Sequence, residues 1–496
     1  MISLQLSKLL SGVKLVNAGK IHDIEITGLE VDSRKVTPGC LFVCIRGMTQ
    51  DGHEYIGQAL SSGAAAVLCE YIPENAPDAA VYALCEDMPA ALGTVCASMY
   101  GNPLEKLDLV GVTGTKGKTS TTYYISAIMN STGAKTGLIG TNGAFIGNKP
   151  IDIPYQTSST PDILELYRIL AEISDNGAKH AVMEATSHGL VQRRMEGITF
   201  KLGVFTNITR DHLDYHKTFE NYIRAKALLF RQCELGLINR DAKYVGELLE
   251  TVTIPVKYFG IGKGDGYFAD DVELLPDGVR FKVYIKGRKQ SFSLGVPGKF
   301  TVYNALAAIA AASELGVPAD AIAEGLNAIK GVPGRFESIP NNRGISVIVD
   351  YAHTPDSLEN IITAVREFTT GKVITLFGCG GDRDRGKRPQ MGKIVGELSD
   401  FCVVTSDNPR NEKPQDIIYD ILPGIKETNA AFTVEPDRKR AIETAINTAK
   451  PGDTVILAGK GHEPYMEFEN RRREPFDDKV EARKVLDGGV ADAPNA

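Results

Sequence analysis

No C-x-x-C pair and no zinc-type spacing occurs in this chain, although it carries eight cysteines: Cys40, Cys44, Cys69, Cys85, Cys96, Cys233, Cys379 and Cys402. Most stand in apolar company, which reads as buried reduced thiols and excludes a disulfide framework or a zinc ribbon. No apolar run is long enough to span a bilayer, and the opening MISLQLSKLLSGVKL lacks a basic-then-apolar signal pattern. A reducing cytoplasm is the expected location. Positive charge is also short, with a formal net charge of −7. General binding to nucleic acid is thereby disfavoured, and an anionic substrate must meet basic groups gathered in clefts.

What is present is the composition of a globular protein. The 496 residues, 43% hydrophobic and 24% charged, predict cored domains, about two to four of them. The strongest single stretch is VGVTGTKGKTSTT, Val110 to Thr122. The apolar run Leu107–Val112 reads as a buried strand and Gly114-Thr115-Lys116-Gly117 as a tight loop. Lys118, Thr119 and Ser120 then open a helix continuing through Ile125 and Met129. Strand, glycine loop and helix N-terminus together aim main-chain N–H groups at phosphate oxygens. Lys118 is placed to reach the outer phosphates, and Thr119 to give a hydroxyl to Mg²⁺. The strict phosphate-loop pattern wants glycine at 112, where this chain has Val112. That departure points to a subfamily rather than to a standard kinase or GTPase.

Three units are expected: residues 1–104, 105–332 and 333–496. The first is a small α/β domain, with strands at Gly39–Ile45 and Ala65–Cys69 and a helix at Tyr55–Ser62. Its loop Val31-Asp32-Ser33-Arg34 sets a hydroxyl beside a guanidinium, which is either a phosphate contact or a solvated turn. In the second, the runs Lys135–Ile139, His180–Met183, Leu202–Thr206 and Gly236–Ile238 alternate with helices Asp162–Ser174 and Phe219–Gln232. This predicts a mainly parallel sheet with its ligands at the strand carboxyl ends. Just past those ends stand Glu184, a candidate Mg²⁺ ligand, and the acid–imidazole group Asp211, His212, Asp214 and His216. Lys226 reads by pattern alone as a solvated lysine on an amphipathic helix. Residues 265–294 read as a β-rich excursion and Val302–Leu315 as a close-packed helix. In the third unit, strands Ser346–Val349, Val373–Phe377, Phe401–Thr405 and Thr454–Ala458 alternate with helices Pro355–Phe368, Gly386–Glu397, Gln415–Lys426 and Arg438–Ala449. This is a Rossmann-like, doubly wound pattern. Each of its four strands runs into a polar motif: Asp350-Tyr351-Ala352-His353, Gly378 to Arg383, Asp407-Asn408-Pro409-Arg410, and Gly459-Lys460-Gly461-His462-Glu463. The tail after Gly488 is small and polar and is expected to fray.

In this order, the motifs resemble the Mur ligase family, ATP-dependent enzymes that build the peptide of bacterial cell-wall precursors. The resemblance runs over essentially the whole chain. It is carried by Val112 to Thr119, Glu184, Asn207, Asp211-His212, His216, Asn304, Arg335 and Asp350 to His353. The family's loop commonly has Asn where this chain has Lys116, and Thr where it has Ser120. Val31 to Arg34, Asp51-Gly52-His53 and Thr186-Ser187-His188-Gly189-Leu190 look like the branch that makes the tripeptide. Asp407-Asn408-Pro409-Arg410 looks like the motif of the meso-diaminopimelate-adding members. An arginine fork there can bind a second carboxylate, which lysine lacks, and such a site can reject the analogue by ~10⁴-fold.

The resemblance implies that ATP meets Gly114, Thr115, Lys116, Gly117, Lys118, Thr119, Ser120, Asn304, Arg335 and Asp350. It implies a UDP-N-acetylmuramoyl dipeptide held by Ser33, Ser159, Thr160, Thr186, Gln192 and Arg194. Diaminopimelate would be held by Arg383, Asp407, Asn408, Pro409, Arg410, Gly459 and Glu463. Mg²⁺ would be bound by Thr119, Glu184, His212 and Lys226, the last as a carbamate, with Lys118, Lys226 and His212 as the catalytic set. The implied reaction is amide synthesis through an acyl phosphate by a monomer. Alternatives are the same ligase using L-lysine or another diamino acid, and a folylpolyglutamate-synthase-like ligase. A third is a scaffold protein that has kept the fold.

Overall fold

The computed structural model describes residues 3–17, 21–47, 50–153, 159–275, 278–329 and 331–488. The tail after Gly488, where fraying is expected, lies outside the described residues. The chain divides into two compact units, residues 1–259 with 307–317, and residues 260–306 with 318–496.

Apart from a two-stranded pairing of Leu4–Gln5 with Glu25–Ile26, the first unit holds two sheets. The smaller is wholly parallel, in the order Gly28–Glu30, Cys40–Val43, Ala66–Cys69, Val81–Leu84. Its strands Cys40–Val43 and Ala66–Cys69 are buried at every position, so they read as continuous apolar runs rather than alternating ones. Helix Met88–Met99, capped by the Asp87 carboxylate, covers one face. There it shares a core with Ile163, Leu164 and Tyr167 of helix Ile163–Asp175. All eight cysteines are buried free thiols.

In the larger sheet six strands run parallel, in the order Thr136–Gly140, His180–Glu184, Asp108–Thr113, Phe200–Phe205, Cys233–Asn239, Val256–Ile261. Asp108–Thr113 is the pivot. The chain adds strands on one side of it, then crosses to the other at Phe200–Phe205. A ligand crevice is expected outside the strand ends at such a reversal. Val112 pairs with Glu184 and Thr113 with Phe205, which fixes what stands beside the loop that follows. The long helix expected at Phe219–Gln232 is an α-helix only to Ala227; Leu228–Gln232 tightens to 3₁₀.

In the second unit, strands Gly266–Leu275, Gly278–Ile285 and Arg288–Leu294 form an antiparallel meander, with Lys286 and Gly287 at positive φ in the last turn. Helix Ala319–Asn327 lies on it, Asn327 accepting from the Ser293 amide. A six-stranded sheet orders Glu337–Ser338, Ser346–Asp350, Thr454–Ala458, Val373–Phe377, Phe401–Val404, Ala431–Val434, parallel except at its first strand. Its strands alternate between two cores. Ile348, Phe377 and Ile456 face helices Pro355–Arg366, Lys387–Leu398 and Pro414–Lys426. Val347, Leu376 and Leu457 face Arg438–Thr448 and Asp478–Leu486. Helices on both faces make the doubly wound layer arrangement. The fold is therefore α/β with mainly parallel sheets.

Candidate active site

The loop Gly114–Gly117 leaves the pivot strand and enters helix Lys118–Ser131 through Gly117, which is left-handed at φ 82°. Gly114 has φ 147°, and a β-carbon there would lie 1.9 Å from Thr206 Oγ1, so only glycine fits. The neighbouring strand end laces the loop in place. Thr115 N donates to Asn207 O (2.9 Å) and Lys116 N to Asn207 Oδ1 (3.0 Å). Asn207 Nδ2 and Thr206 Oγ1 both donate to Lys116 O, at 3.0 and 2.6 Å. Lys118 Nζ folds over the loop onto the Gly114 and Thr115 carbonyls, at 2.9 and 3.0 Å. One ammonium and a helix N-terminus thus stand at the same loop, an arrangement able to hold a phosphate.

Thr119 Oγ1 donates to Glu184 Oε1 at 2.9 Å, and Glu184 is 1% exposed. Thr141 N donates to the same oxygen at 2.9 Å, and Thr141 Oγ1 approaches Oε2 at 3.3 Å. A hydroxyl and a buried carboxylate beside a phosphate cradle are hard oxygen donors that fit Mg²⁺. That ion takes one or two protein oxygens and completes its shell with phosphate and water. Among the described residues no three His, Cys, Asp or Glu side chains gather around one metal-sized point. Thr141 escaped the sequence reading, although it follows the strand end at Gly140, where such residues are to be sought.

The reading of Lys226 as solvated is wrong: it is 1% exposed. Its helix is tied to the phosphate loop by the Tyr222 hydroxyl, 3.1 Å from Thr115 Oγ1. Lys226 Nζ lies 4.4 Å from the centre of the Tyr222 ring. Burial, reinforced by the Lys118 charge and opposed by Asp211, pulls its pKa well below the ordinary lysine range. His212, at φ 53°, meets His188 edge-on with ring centres 4.8 Å apart. Burial lowers its pKa, Asp211 opposes, and the Lys118 and Lys226 charges lower it further. His216 Nε2 pairs with Ser187 Oγ at 3.0 Å. Burial, then His188 and His212, push His216 down to about 4.

The residues assigned to the sugar nucleotide fall into two places. Thr160, Thr186, Gln192 and Arg194 form one connected patch. Thr160 Oγ1 donates to Glu184 O (2.8 Å) and lies 2.9 Å from Thr186 Oγ1. Arg194 donates to Thr160 O and to Gln192 Oε1, both at 2.9 Å. Ser159 Oγ joins through Thr141 Oγ1 at 2.9 Å. Ser33 lies in the small domain, donating to Gln58 Oε1 at 2.9 Å. Beside it, the Arg34 fork closes on its own Asp32, at 2.9 and 2.8 Å.

Within the second unit, Asp350 Oδ2 accepts from Phe336 N at 2.8 Å, and Arg335 stacks 5.2 Å from the Tyr351 ring centre. Burial raises the Asp350 pKa, with Arg335 opposing. Asn304 is buried in helix Lys299–Glu314. The strand ends of the doubly wound sheet converge on a further pocket. Asn408 Nδ2 donates to Glu463 Oε2 (2.9 Å), and Asp407 Oδ1 accepts from Asn408 N (2.6 Å). Asp407 Oδ2 is buried and has no hydrogen-bond partner among the described residues. Gly459, at φ 117°, leaves it room, since a β-carbon would lie 2.3 Å away. Arg410, also left-handed, donates from Nη1 to Gly381 O at 2.8 Å and sits 3.8 Å from Glu467. Arg383 is exposed, 3.5 Å from Asp382 O. Beside Pro409 the two loops are joined by Asn408, whose carbonyl accepts from Gly381 N at 2.9 Å.

Buried cations beneath this pocket have no signal in the sequence reading. Arg388, 1% exposed, forks onto Glu412 and Asp420 and holds Gly380 O. It depresses the Glu412 pKa to about 2. Arg438 pairs with Asp478 and donates to Ser406 O (3.0 Å) and Ala458 O (2.9 Å), joining the two strand ends that carry Asp407 and Gly459.

A glycine loop at a helix N-terminus, a hydroxyl on a buried carboxylate and a buried lysine of lowered pKa are the arrangement of a nucleotide-dependent group-transfer enzyme. Comparison narrows the class. Residues 112–312 match the Mur ligase middle domain, residues 334–461 the Mur ligase glutamate ligase domain, and residues 25–98 the Mur ligase family catalytic domain. A UDP-N-acetylmuramoyl-L-alanyl-D-glutamate--2,6-diaminopimelate ligase of Clostridioides difficile is 42% identical over 97% of this chain and 99% of its own. A solved structure of a ligase of that name superposes with TM-score 0.66 at 30% identity, covering 93% of this chain and 95% of that one. MurF of Acinetobacter baumannii shares the fold, with TM-score 0.65 at 21% identity over 98% of this chain and 99% of its own. The chain belongs to the Mur ligase family and has its three-domain architecture.

Proposed function

We infer that the chain is an ATP-dependent ligase that adds meso-2,6-diaminopimelate to UDP-N-acetylmuramoyl-L-alanyl-D-glutamate in peptidoglycan precursor synthesis. The observation that carries the diamino-acid assignment is the pocket at the doubly wound strand ends. There Gly381 O holds the guanidinium of Arg410 and Asn408 holds the carboxylate of Glu463, in a chain 42% identical to a ligase named for that substrate. A guanidinium and a carboxylate together complement the carboxylate and ammonium of an amino-acid end. Asp407, Pro409, Gly459 and Arg383 complete this pocket.

Two anions must react, so positive charge comes first. The D-glutamate side-chain carboxylate attacks the ATP γ-phosphorus and ADP leaves. The diaminopimelate amine then attacks the acyl phosphate, and inorganic phosphate leaves with one former carboxylate oxygen. Lys118 and the loop amides of Gly114 to Ser120 neutralise the phosphates. Asn304, Arg335 and Asp350 are further nucleotide contacts. Thr119 and Glu184 would hold Mg²⁺, with His212 and carbamylated Lys226 toward a second ion; bound there, the ion supplies charge neutralisation. Burial, reinforced by the Lys118 charge, pulls the Lys226 pKa down, which favours the neutral amine that adds CO₂. Ser33, Ser159, Thr160, Thr186, Gln192 and Arg194 hold the sugar nucleotide. Residues 1–104 serve the UDP-sugar, 105–332 ATP and 333–496 the amino acid, in a cytoplasmic monomer.

Phosphate release tests this reading. It is expected with ATP, the UDP-muramoyl dipeptide and meso-diaminopimelate together, and to be far slower with L-lysine. Arg410→Ala is expected to lose most of that preference. Equal turnover of the two amino acids by the unaltered chain overturns the assignment.

A further inference from the structure

Lys460 follows the strand Thr454–Ala458 by two residues and is 0% exposed. Its Nζ donates to Asn408 Oδ1 at 2.9 Å and to Glu463 Oε2 at 3.0 Å, and lies 5.6 Å from the Tyr465 ring centre. Asn408 Oδ1 also accepts from Glu467 N at 2.9 Å. Both partners of that oxygen can only donate, so the Asn408 amide has one orientation and its Nδ2 must face Glu463. Glu463 Oε2 therefore receives two protein donors, one of them a full cation. Its other oxygen, Oε1, has the Tyr351 hydroxyl at 3.5 Å. Glu463 is thus an anion already matched by an interior cation.

That pairing changes what the pocket can bind. A distal end that brings only an ammonium meets a carboxylate whose charge is spoken for and a second cation close behind it. A distal end that brings carboxylate and ammonium together is neutral overall, and its carboxylate adds to Arg410. We propose that Lys460 is a specificity-determining residue. Its ammonium cancels the Glu463 charge, so the pocket takes a zwitterionic amino-acid end and rejects a plain alkylammonium. The rejection comes from like charge as well as from the unpaired Arg410 fork.

This inference rests on the diaminopimelate reading, and the test separates the two. Phosphate release by the full chain is measured with ATP, Mg²⁺, the UDP-muramoyl dipeptide and either meso-diaminopimelate or L-lysine. Absence of turnover with diaminopimelate in the unaltered chain defeats the functional reading itself. Given that turnover, Lys460→Met is expected to narrow the diaminopimelate-to-lysine ratio of kcat/KM by at least about tenfold, mainly through a lower KM for lysine. Lys460→Arg, which keeps the charge, is expected to hold the ratio within about threefold of the original. Equal losses on both substrates in Lys460→Met, with the ratio unchanged, overturn the proposal. A second measurement needs no variant. L-lysine and L-norleucine, which differ only by the distal ammonium, are compared as inhibitors competing with diaminopimelate. Inhibition constants within about threefold are expected, and lysine binding more than about tenfold tighter than norleucine overturns the proposal.

Discussion

Lys226→Met sets stability against activity, and the two are expected to move in opposite directions. The side chain is 1% exposed and its amine lies over the Tyr222 ring, 4.4 Å from its centre. Burial and the Lys118 charge oppose its ionisation. In the chain free of CO₂ and metal, folding therefore strips water from an amine for weak return. Methionine fills nearly the same volume without that cost, so the variant gains about 1–2 kcal/mol. In domains of this size that is a rise of about 2–6 °C in Tm. Activity falls by about 10²-fold or more, the usual loss when a group oriented toward developing charge is removed. Scanning calorimetry reads the first quantity and phosphate release the second. Lys226→Ala is expected to regain part of its activity with bicarbonate or short carboxylic acids, which can occupy the emptied space as anions. A lower Tm in Lys226→Met together with near-normal turnover would refute the reasoning, because it would make the lysine a structural strut.

Three further outcomes follow from the geometry. Gly114→Ala places a methyl 1.9 Å from Thr206 Oγ1 at a φ of 147°, so the loop must shift; calorimetric titration with Mg·ATP is expected to show at least about tenfold weaker binding. Asp478→Ala leaves the buried Arg438 guanidinium unpaired and is expected to cost about 3–5 kcal/mol in urea unfolding. His216 has its folded pKa lowered from 6.5 to about 4, so below pH 6.5 the unfolded chain binds a proton that the folded chain refuses. Stability is then full above pH 6.5 and falls as pH drops toward 4, by about 2 kcal/mol between pH 7.5 and 5. Urea curves at those two pH values measure it, His216→Asn is expected to flatten the difference, and equal wild-type stability at both contradicts it.

The scaffold is largely legible in the sequence because its strands are apolar and its helices periodic. Val373–Phe377 and Thr454–Ala458 fall where the runs of Val, Ile and Leu put them. Strand Ala431–Val434, half-buried at the sheet edge, and the short helix Asp478–Leu486 carried too weak a pattern to be seen. The phosphate loop was legible because glycine spacing is a local property. The buried charges were not. Lys226, Arg388, Arg438 and Lys460 are each at most 3% exposed. Along the chain, each looks like any solvated cation on a helix or loop. What buries them is contact across tens to hundreds of residues, such as Tyr222 against Thr115 or Arg438 against Asp478. Periodicity carries no trace of such pairings.

The central claim is that the D-glutamate carboxylate takes phosphate from ATP beside Lys118 before the amine arrives. It is tested by labelling that carboxylate with ¹⁸O and analysing the released inorganic phosphate by mass spectrometry. One ¹⁸O per phosphate, dependent on diaminopimelate and lost with Lys118→Ala, is the predicted result. Unlabelled phosphate formed at the rate of amide synthesis would contradict the account.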